Sequence, residues 1–168
     1  NAESISFMPG SGFAVAATTL VGQGLGARDP GRARRDAMTA FALSALLMGM
    51  MGMLFVAFPA QLVGFFTADA EVIRQGVSPL RLVGLAQPFL AAMMVFAGSL
   101  RGAGDTVTPL IVNGASIWLL RVPLAWVLAR PAGLGLLGVW MAMSLDMMVR
   151  GTLLFAVFRR GRWTAKKV

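Results

Sequence analysis

The sequence predicts an all-α protein that crosses a membrane five times, and three observations predict this fold class. Apolar residues make up 57% of the 168 residues and charged residues only 13%, whereas soluble domains carry about 25% charged residues. Five nearly uncharged stretches follow one another, each holding at least the roughly 20 residues that a helix needs to cross hydrocarbon. The segment 42–56 shows none of the polar and apolar alternation that a membrane β-barrel requires. Because lipid offers the backbone no hydrogen-bond partners, helices remain as the spanning structure.

The predicted spans form one membrane domain over residues 1–168. Their approximate ranges are 5–26, 37–66, 76–100, 107–129 and 134–158, and a basic tail occupies 159–168. The connections are short, and no linker is long enough to separate domains. The chain begins with Asn and has an odd number of predicted spans, so we expect it to be part of a longer protein.

Small side chains recur every fourth residue in the first predicted span. Gly10, Ala14, Thr18, Gly22 and Gly26 therefore form a continuous strip along one face of a helix. Such strips allow two helix backbones to approach closely within a membrane. The pattern predicts that another helix packs against this face, inside a bundle or in a homodimer.

The basic residues follow the pattern of a membrane protein. The net charge is +8, and ten of the fifteen basic residues fall on one predicted side of the membrane, three on the other and two within spans. The ten are Arg28, Arg32, Arg34, Arg35, Arg101, Arg159, Arg160, Arg162, Lys166 and Lys167. The positive-inside rule predicts that the tail and the connection 99–106 are cytoplasmic. This distribution argues against a nucleic-acid surface.

Cysteine and histidine are both absent from the sequence. Their absence excludes disulfides, thiolate or imidazole metal sites, and Ser/His or Cys/His catalysis. We therefore expect no enzyme activity, no bound metal and no cofactor.

Four ionisable residues lie inside predicted spans, where charges are costly and are candidates for function. Arg81 lies near the external end of its span, and Asp146, Arg150 and Arg121 lie deeper. Asp146 is the only acid among them and lies about 18 Å from the external end of its helix, at 1.5 Å per residue. Arg150 follows it at the i, i+4 spacing that permits pairing, and Arg121 on the preceding helix is within reach. The favoured interpretation is an ion pair that holds the last two helices together. The alternative is a carboxylate that binds a proton or another cation.

Uncharged polar residues within the spans are candidates for a cavity or for interhelical hydrogen bonds. They include Gln23, Gln87, Asn113 and Ser116. Pro88 and Pro123 each remove a helical hydrogen bond and favour a bend. Clustered methionines, such as Met93 and Met94, fit either a promiscuous pocket or ordinary apolar packing.

The connection "SLRGAGDT" at 99–106 has a predicted structural role. Arg101 would hold one helix end at the lipid headgroups, Gly102 and Gly104 would permit a tight turn, and Asp105 or Thr106 would cap the next helix.

Four segments together resemble the second half of a multidrug and toxic compound extrusion (MATE) transporter. They are "AATTLVGQGLGARDPGRA" (16–33), "AGSLRGAGDT" (97–106), "RVPLAW" (121–126) and "GVWMAMSLDMMVRG" (138–151). The resemblance covers nearly the whole chain. It implies that the five spans match helices eight to twelve, so that they form most of one six-helix bundle and the N-terminal bundle is missing.

The resemblance implies export of amphipathic cationic small molecules from a bacterial inner membrane, in exchange for protons or sodium ions. Sodium-coupled members carry an acid in the tenth helix, and Leu90 stands about where that acid is expected. The resemblance therefore favours protons as the coupling ion. Two alternatives stay open, namely a flippase of lipid-linked sugars from the same superfamily and a membrane scaffold that does not transport.

Overall fold

The computed structural model describes residues 2–165, with side chains from Ser4 to Thr164, and all regular structure in this part of the chain is helical. Five stretches of helix are long and apolar enough to cross a membrane, which confirms the predicted fold class. The helices are α1 (Ala2–Gly26), α2 (Pro30–Ala57), α3 (Pro59–Gly64), α4 (Ala70–Gly102), α5 (Val107–Ser116), a π-helical turn (Ile117–Arg121), α6 (Val122–Ala129), α7 (Gly135–Arg159) and a 3₁₀ turn (Arg162–Ala165).

The second helix differs from the range predicted as 37–66. It begins at Pro30, because the Asp29 carboxylate accepts a hydrogen bond from the backbone N–H of Arg32 at 2.8 Å and proline suits the first helical position. It ends at Ala57, because Pro59 cannot continue the helical hydrogen bonds and starts the separate short helix α3. The charged residues 32–36 are therefore the first turns of α2 and not a loop.

Helix α4 is the centre of the bundle and packs against α1, α2 and α7. It is continuous across Pro88, whose missing N–H leaves the carbonyl of Gly84 without its usual helical partner. Gly52 of α2 lies directly against that carbonyl, so that a Cβ atom on Gly52 would lie 2.4 Å from the Gly84 oxygen. At Pro123, by contrast, the helix widens into the π-helical turn that immediately precedes it.

The strip of small residues on α1 packs against α4 from Gly10 to Gly22, whereas Gly26 is exposed and a Cβ atom there would meet nothing within 4 Å. A Cβ atom on Gly98 would lie 2.4 Å from the carbonyl oxygen of Ala14, and one on Gly102 would lie 2.2 Å from that of Thr18. The Thr18 hydroxyl donates to the carbonyls of Ala14 and Gly98 at 2.8 and 3.0 Å. The two backbones are therefore in direct contact, which only glycine at these positions permits.

Aromatic side chains fill the core at the end of the bundle where the tail lies. Phe96 of α4 packs against Phe158 of α7, with ring centroids 4.9 Å apart. Trp163 in the 3₁₀ turn stacks on the other side of Phe158 at 4.8 Å and is 2% exposed. Trp163 in the tail is therefore part of the core.

We expect Gly98→Ala to lower the free energy of unfolding by about 1–3 kcal/mol, because the added methyl group forces α1 away from α4. Gly12→Ala is the matched control, since nothing lies within 4 Å of a Cβ atom there. Thermal unfolding followed by size-exclusion chromatography measures both. Equal melting temperatures for the two variants would contradict the direct backbone contact.

Candidate functional site

The buried ion pair predicted in the last helix is present. Asp146 and Arg150 lie one turn apart on α7 with 0% and 7% exposure, and Arg150 Nη2 is 2.6 Å from Asp146 Oδ2. Neither Asp146 Oδ2 nor Arg150 Nε has a well-aligned hydrogen-bond partner in the described part of the chain. The contact is therefore chiefly electrostatic.

The second contact of Asp146 comes from Ser116 and not from Arg121. The Ser116 hydroxyl donates to Asp146 Oδ1 at 2.5 Å and joins the end of α5 to α7. Arg121 forms no salt bridge with Asp146 and is half-buried at the end of the π-helical turn. The residue of the neighbouring helix that contacts Asp146 is therefore Ser116, and not Arg121, which the sequence placed within reach.

The ion pair and its hydroxyl partner form a structural link more readily than a cation site. The Arg150 guanidinium already balances the carboxylate charge, and the serine occupies its other oxygen. No group of three or more His, Cys, Asp or Glu side chains within the described residues is arranged to hold a metal ion. The link between α5 and α7 is the hydrogen bond from Ser116 to Asp146, and Arg150 on the same helix as Asp146 balances its charge.

A groove between α1, α4 and α5 has the character of a site for amphipathic molecules. Its cavity has a volume of about 430 Å³. Phe7, Met93 and Met94 supply apolar surface, while Asn113 supplies a polar group and Arg101 a charged one. The Asn113 Oδ1 atom is buried and has no hydrogen-bond partner among the described residues. It is therefore an acceptor available to a bound molecule.

The other two polar candidates lie away from this groove. Gln87 is fully buried, and its Nε2 donates to the Ser6 hydroxyl at 2.9 Å, which ties α4 to α1. Gln23 is exposed and does not line the groove. Of the three amides named from the sequence, the structure brings only Asn113 to the groove.

The connection between α4 and α5 is a capped turn. Asp105 accepts hydrogen bonds from the Thr108 backbone N–H at 3.2 Å and from the Thr108 hydroxyl at 2.8 Å, whereas the Thr106 side chain makes no capping bond. Gly104 has φ of +76°, which the turn requires.

The turn-forming role predicted for Gly102 is wrong. This residue is the last one of α4 and has no positive φ, so the turn begins after it. Glycine is required at this position because any side chain would clash with the carbonyl of Thr18 on α1. The strip of small residues on α1 was the signal in the sequence for this contact, since it predicts a closely packed neighbouring helix.

We expect Asp146→Asn to lower the free energy of unfolding by about 3–5 kcal/mol, because it leaves the Arg150 charge buried without a counter-charge. The double variant Asp146→Asn/Arg150→Met, which also removes the unpaired charge, is expected to recover part of that loss, and Arg150→Met is the second single variant. A double-mutant cycle of melting temperatures measures the coupling. Additive effects of the two single variants would show that the pair does not act as a unit.

We expect Asp105→Ala to reduce the yield of folded protein while leaving the affinity for small molecules unchanged, because its loss leaves the start of α5 without its capping side chain. The loss of a capping side chain costs about 0.5–2 kcal/mol. Thr106→Ala is the control and is expected to fold normally. Normal yield of Asp105→Ala with lost affinity for small molecules would overturn the assignment.

The comparisons with known proteins agree with this architecture. The model of the MatE family matches residues 1–127. The chain is 38% identical, over all of its 168 residues, to a probable multidrug resistance protein NorM of Thermotoga maritima. It is 36% identical over 162 residues, 94% of its length, to a protein of the same name from Mesorhizobium japonicum. It spans 36% and 35% of these relatives, about a third of their length.

Solved structures extend the similarity to the fold. The crystal structure of the eukaryotic MATE transporter AtDTX14 superposes with a TM-score of 0.88 at 27% identity, covering 97% of this chain and 36% of that one. An inward-facing multidrug resistance MATE transporter gives a TM-score of 0.86 at 21% identity, covering 98% of this chain and 38% of that one. The chain is therefore a polytopic helical membrane protein that belongs to the MatE family of multidrug efflux transporters.

Proposed function

We propose that this chain forms part of a secondary transporter that exports amphipathic organic cations from the cytoplasm in exchange for protons. Membership of the MatE family, together with two relatives named as multidrug resistance proteins, supports transport of small molecules. The groove between α1, α4 and α5 is the observation on the molecule that carries the proposal.

The groove suits flat organic molecules that carry a charge on an apolar body. Phe7 supplies an aromatic ring, and Met93 and Met94 supply flexible, polarisable thioethers that repack around different shapes. The free acceptor Asn113 Oδ1 offers one hydrogen bond to a donor on the ligand. Because Arg101 repels cations, we place the cationic part nearer Asn113 than Arg101.

Two observations support protons over sodium as the coupling ion. Leu90, where a sodium-coupled relative is expected to carry an acid, is 1% exposed and packs with Met48 and Ala91 in an apolar cluster. The intramembrane carboxylate of Asp146 is already paired with Arg150. Sodium prefers several oxygen ligands, and neither place offers a free carboxylate. We assign the proton-exchanging role to none of the residues of this chain.

The proposed orientation places the tail and the α4–α5 turn in the cytoplasm of a bacterium. The excess of arginine and lysine on that side supports it. The orientation is tested with Thr164→Cys and a thiol reagent that does not cross membranes. We expect the reagent to label this cysteine in inside-out vesicles and not in right-side-out vesicles.

Transport is tested with the protein at its natural length in proteoliposomes, using ethidium as a fluorescent organic cation. We expect an imposed pH gradient to drive ethidium movement and a sodium gradient at constant pH to have no effect. Movement driven by sodium alone would contradict proton coupling. Ethidium flux that ignores both gradients would contradict antiport.

The groove is tested by Asn113→Leu, with Gln23→Leu as the control outside it. Loss of one hydrogen bond is expected to raise the apparent KM for a hydrogen-bonding substrate about 3- to 10-fold, since such a bond contributes about 0.5–1.5 kcal/mol. The Gln23 variant is expected to match the unmodified protein. An unchanged KM for Asn113→Leu would remove the groove from the transport path.

A further inference from the structure

We propose that the cavity between the α4–α5 turn and the tail binds the phosphate of an anionic phospholipid in the adjacent leaflet. The cavity has a volume of about 470 Å³, within the range of about 300–1,000 Å³ that is usual for ligand sites. It lies apart from the groove and shares no lining residue with it. The inference does not depend on the proposed function.

The tail is held in place, which gives the cavity a defined wall. Gly161 has φ of +72° and turns the chain after α7. The indole Nε1 of Trp163 donates to the carbonyl of Phe158 at 2.8 Å, and its ring is buried against the core. Arg160 and Arg162 lie between the end of α7 and this anchor, so their backbone positions are fixed even though their side chains are exposed.

The polar part of the cavity suits an anion. Arg160 and Arg162 line it together with Thr108. The salt bridges found among the described residues use other arginines, namely Arg32, Arg74 and Arg150. Guanidinium groups bind phosphate oxygens through paired N–H donors, and this is the strongest recognition that protein side chains offer to phosphate.

Asp105 is the one acid among the described residues that line the cavity, and it does not cancel this charge. The Asp105 carboxylate accepts both Thr108 bonds at the start of α5, where the positive end of the helix dipole opposes it. Two arginines against one engaged carboxylate leave the cavity with a positive charge. An anion bound there would lie toward the tail and away from Asp105.

The surroundings favour a lipid phosphate over a free one. Leu100 and Val157 form an apolar part of the lining. The neighbouring turns of α5 expose Val107, Leu110 and Ile111 at 58%, 71% and 61%, and these residues belong to a predicted span. An acyl chain along this surface would place its phosphate at the helix end, beside the two arginines. Basic pockets between helix ends at the membrane surface are a recurrent lipid-binding arrangement.

The test uses native mass spectrometry of the protein at its natural length, released from nanodiscs that contain phosphatidylglycerol or phosphatidylcholine. We expect retained phosphatidylglycerol and little phosphatidylcholine. Arg160→Gln/Arg162→Gln is expected to lower the apparent affinity for phosphatidylglycerol at least about 10-fold, because a direct hydrogen bond to a charged group contributes about 1.5–3 kcal/mol and 1.4 kcal/mol is a factor of ten.

The matched control is Arg34→Gln/Arg35→Gln, which removes the same charge from exposed positions on the same side of the bundle. It is expected to retain most of the bound lipid. Equal losses for the two double variants, or equal retention of both lipids, would overturn the proposal. Binding of inorganic phosphate at the site without any phosphatidylglycerol would also overturn it. Ethidium flux is measured on the same variants, because it tests the transport proposal independently of lipid binding. Lost lipid binding with unchanged ethidium flux would concern the cavity alone.

Discussion

Contact between helix backbones around α4 is the constraint on which the rest of the bundle depends. Gly98 and Gly102 meet α1, Gly84 meets Gly52 of α2, and Gly151 of α7 lies against the carbonyl of Phe89. Because lipid tails are as apolar as leucine, helices in a membrane gain little from apolar burial and rely on close packing and polar contacts. Glycine permits that close packing on three sides of one helix. The positions of α1, α2 and α7 follow from it.

Helix α5 is held differently, and this explains the location of the buried charges. Its described side chains are mostly exposed, and few of them are buried against the bundle. Ser116 joins it to Asp146, whose charge is balanced by Arg150. Polar contacts of this kind are effective in a membrane because water does not compete for the donors and acceptors. The ion pair therefore supports the helix that has the least packing of its own.

The α4–α5 connection serves three structural purposes within eight residues. Arg101 lines the groove, Gly102 allows α4 to touch α1, and Asp105 caps α5 while lining the cavity at the tail. A movement of α5 relative to α4 would therefore change both cavities together. This coupling gives a physical reason for concentrating glycine, arginine and aspartate in so short a segment.

The sequence by itself determined the helical spans and the Asp146–Arg150 pair, since hydrophobic length and the i, i+4 spacing depend only on the geometry of one helix. The strip on α1 also predicted a close neighbour but did not identify it. Proline positions and helix capping could have predicted α2 at 30–57, but the span was predicted to begin only after the charged residues 32–36.

Only the tertiary structure decided which residues meet across helices. Ser116 and not Arg121 faces Asp146, Gly102 packs against Thr18 instead of forming the turn, and Asn113 alone among the predicted amides lines the groove. The burial of Trp163 likewise depends on how the tail folds back on α7. Such contacts depend on the rotation and axial shift of each helix relative to its neighbours. These are set by the sum of many small packing terms, which a residue pattern within one helix does not contain.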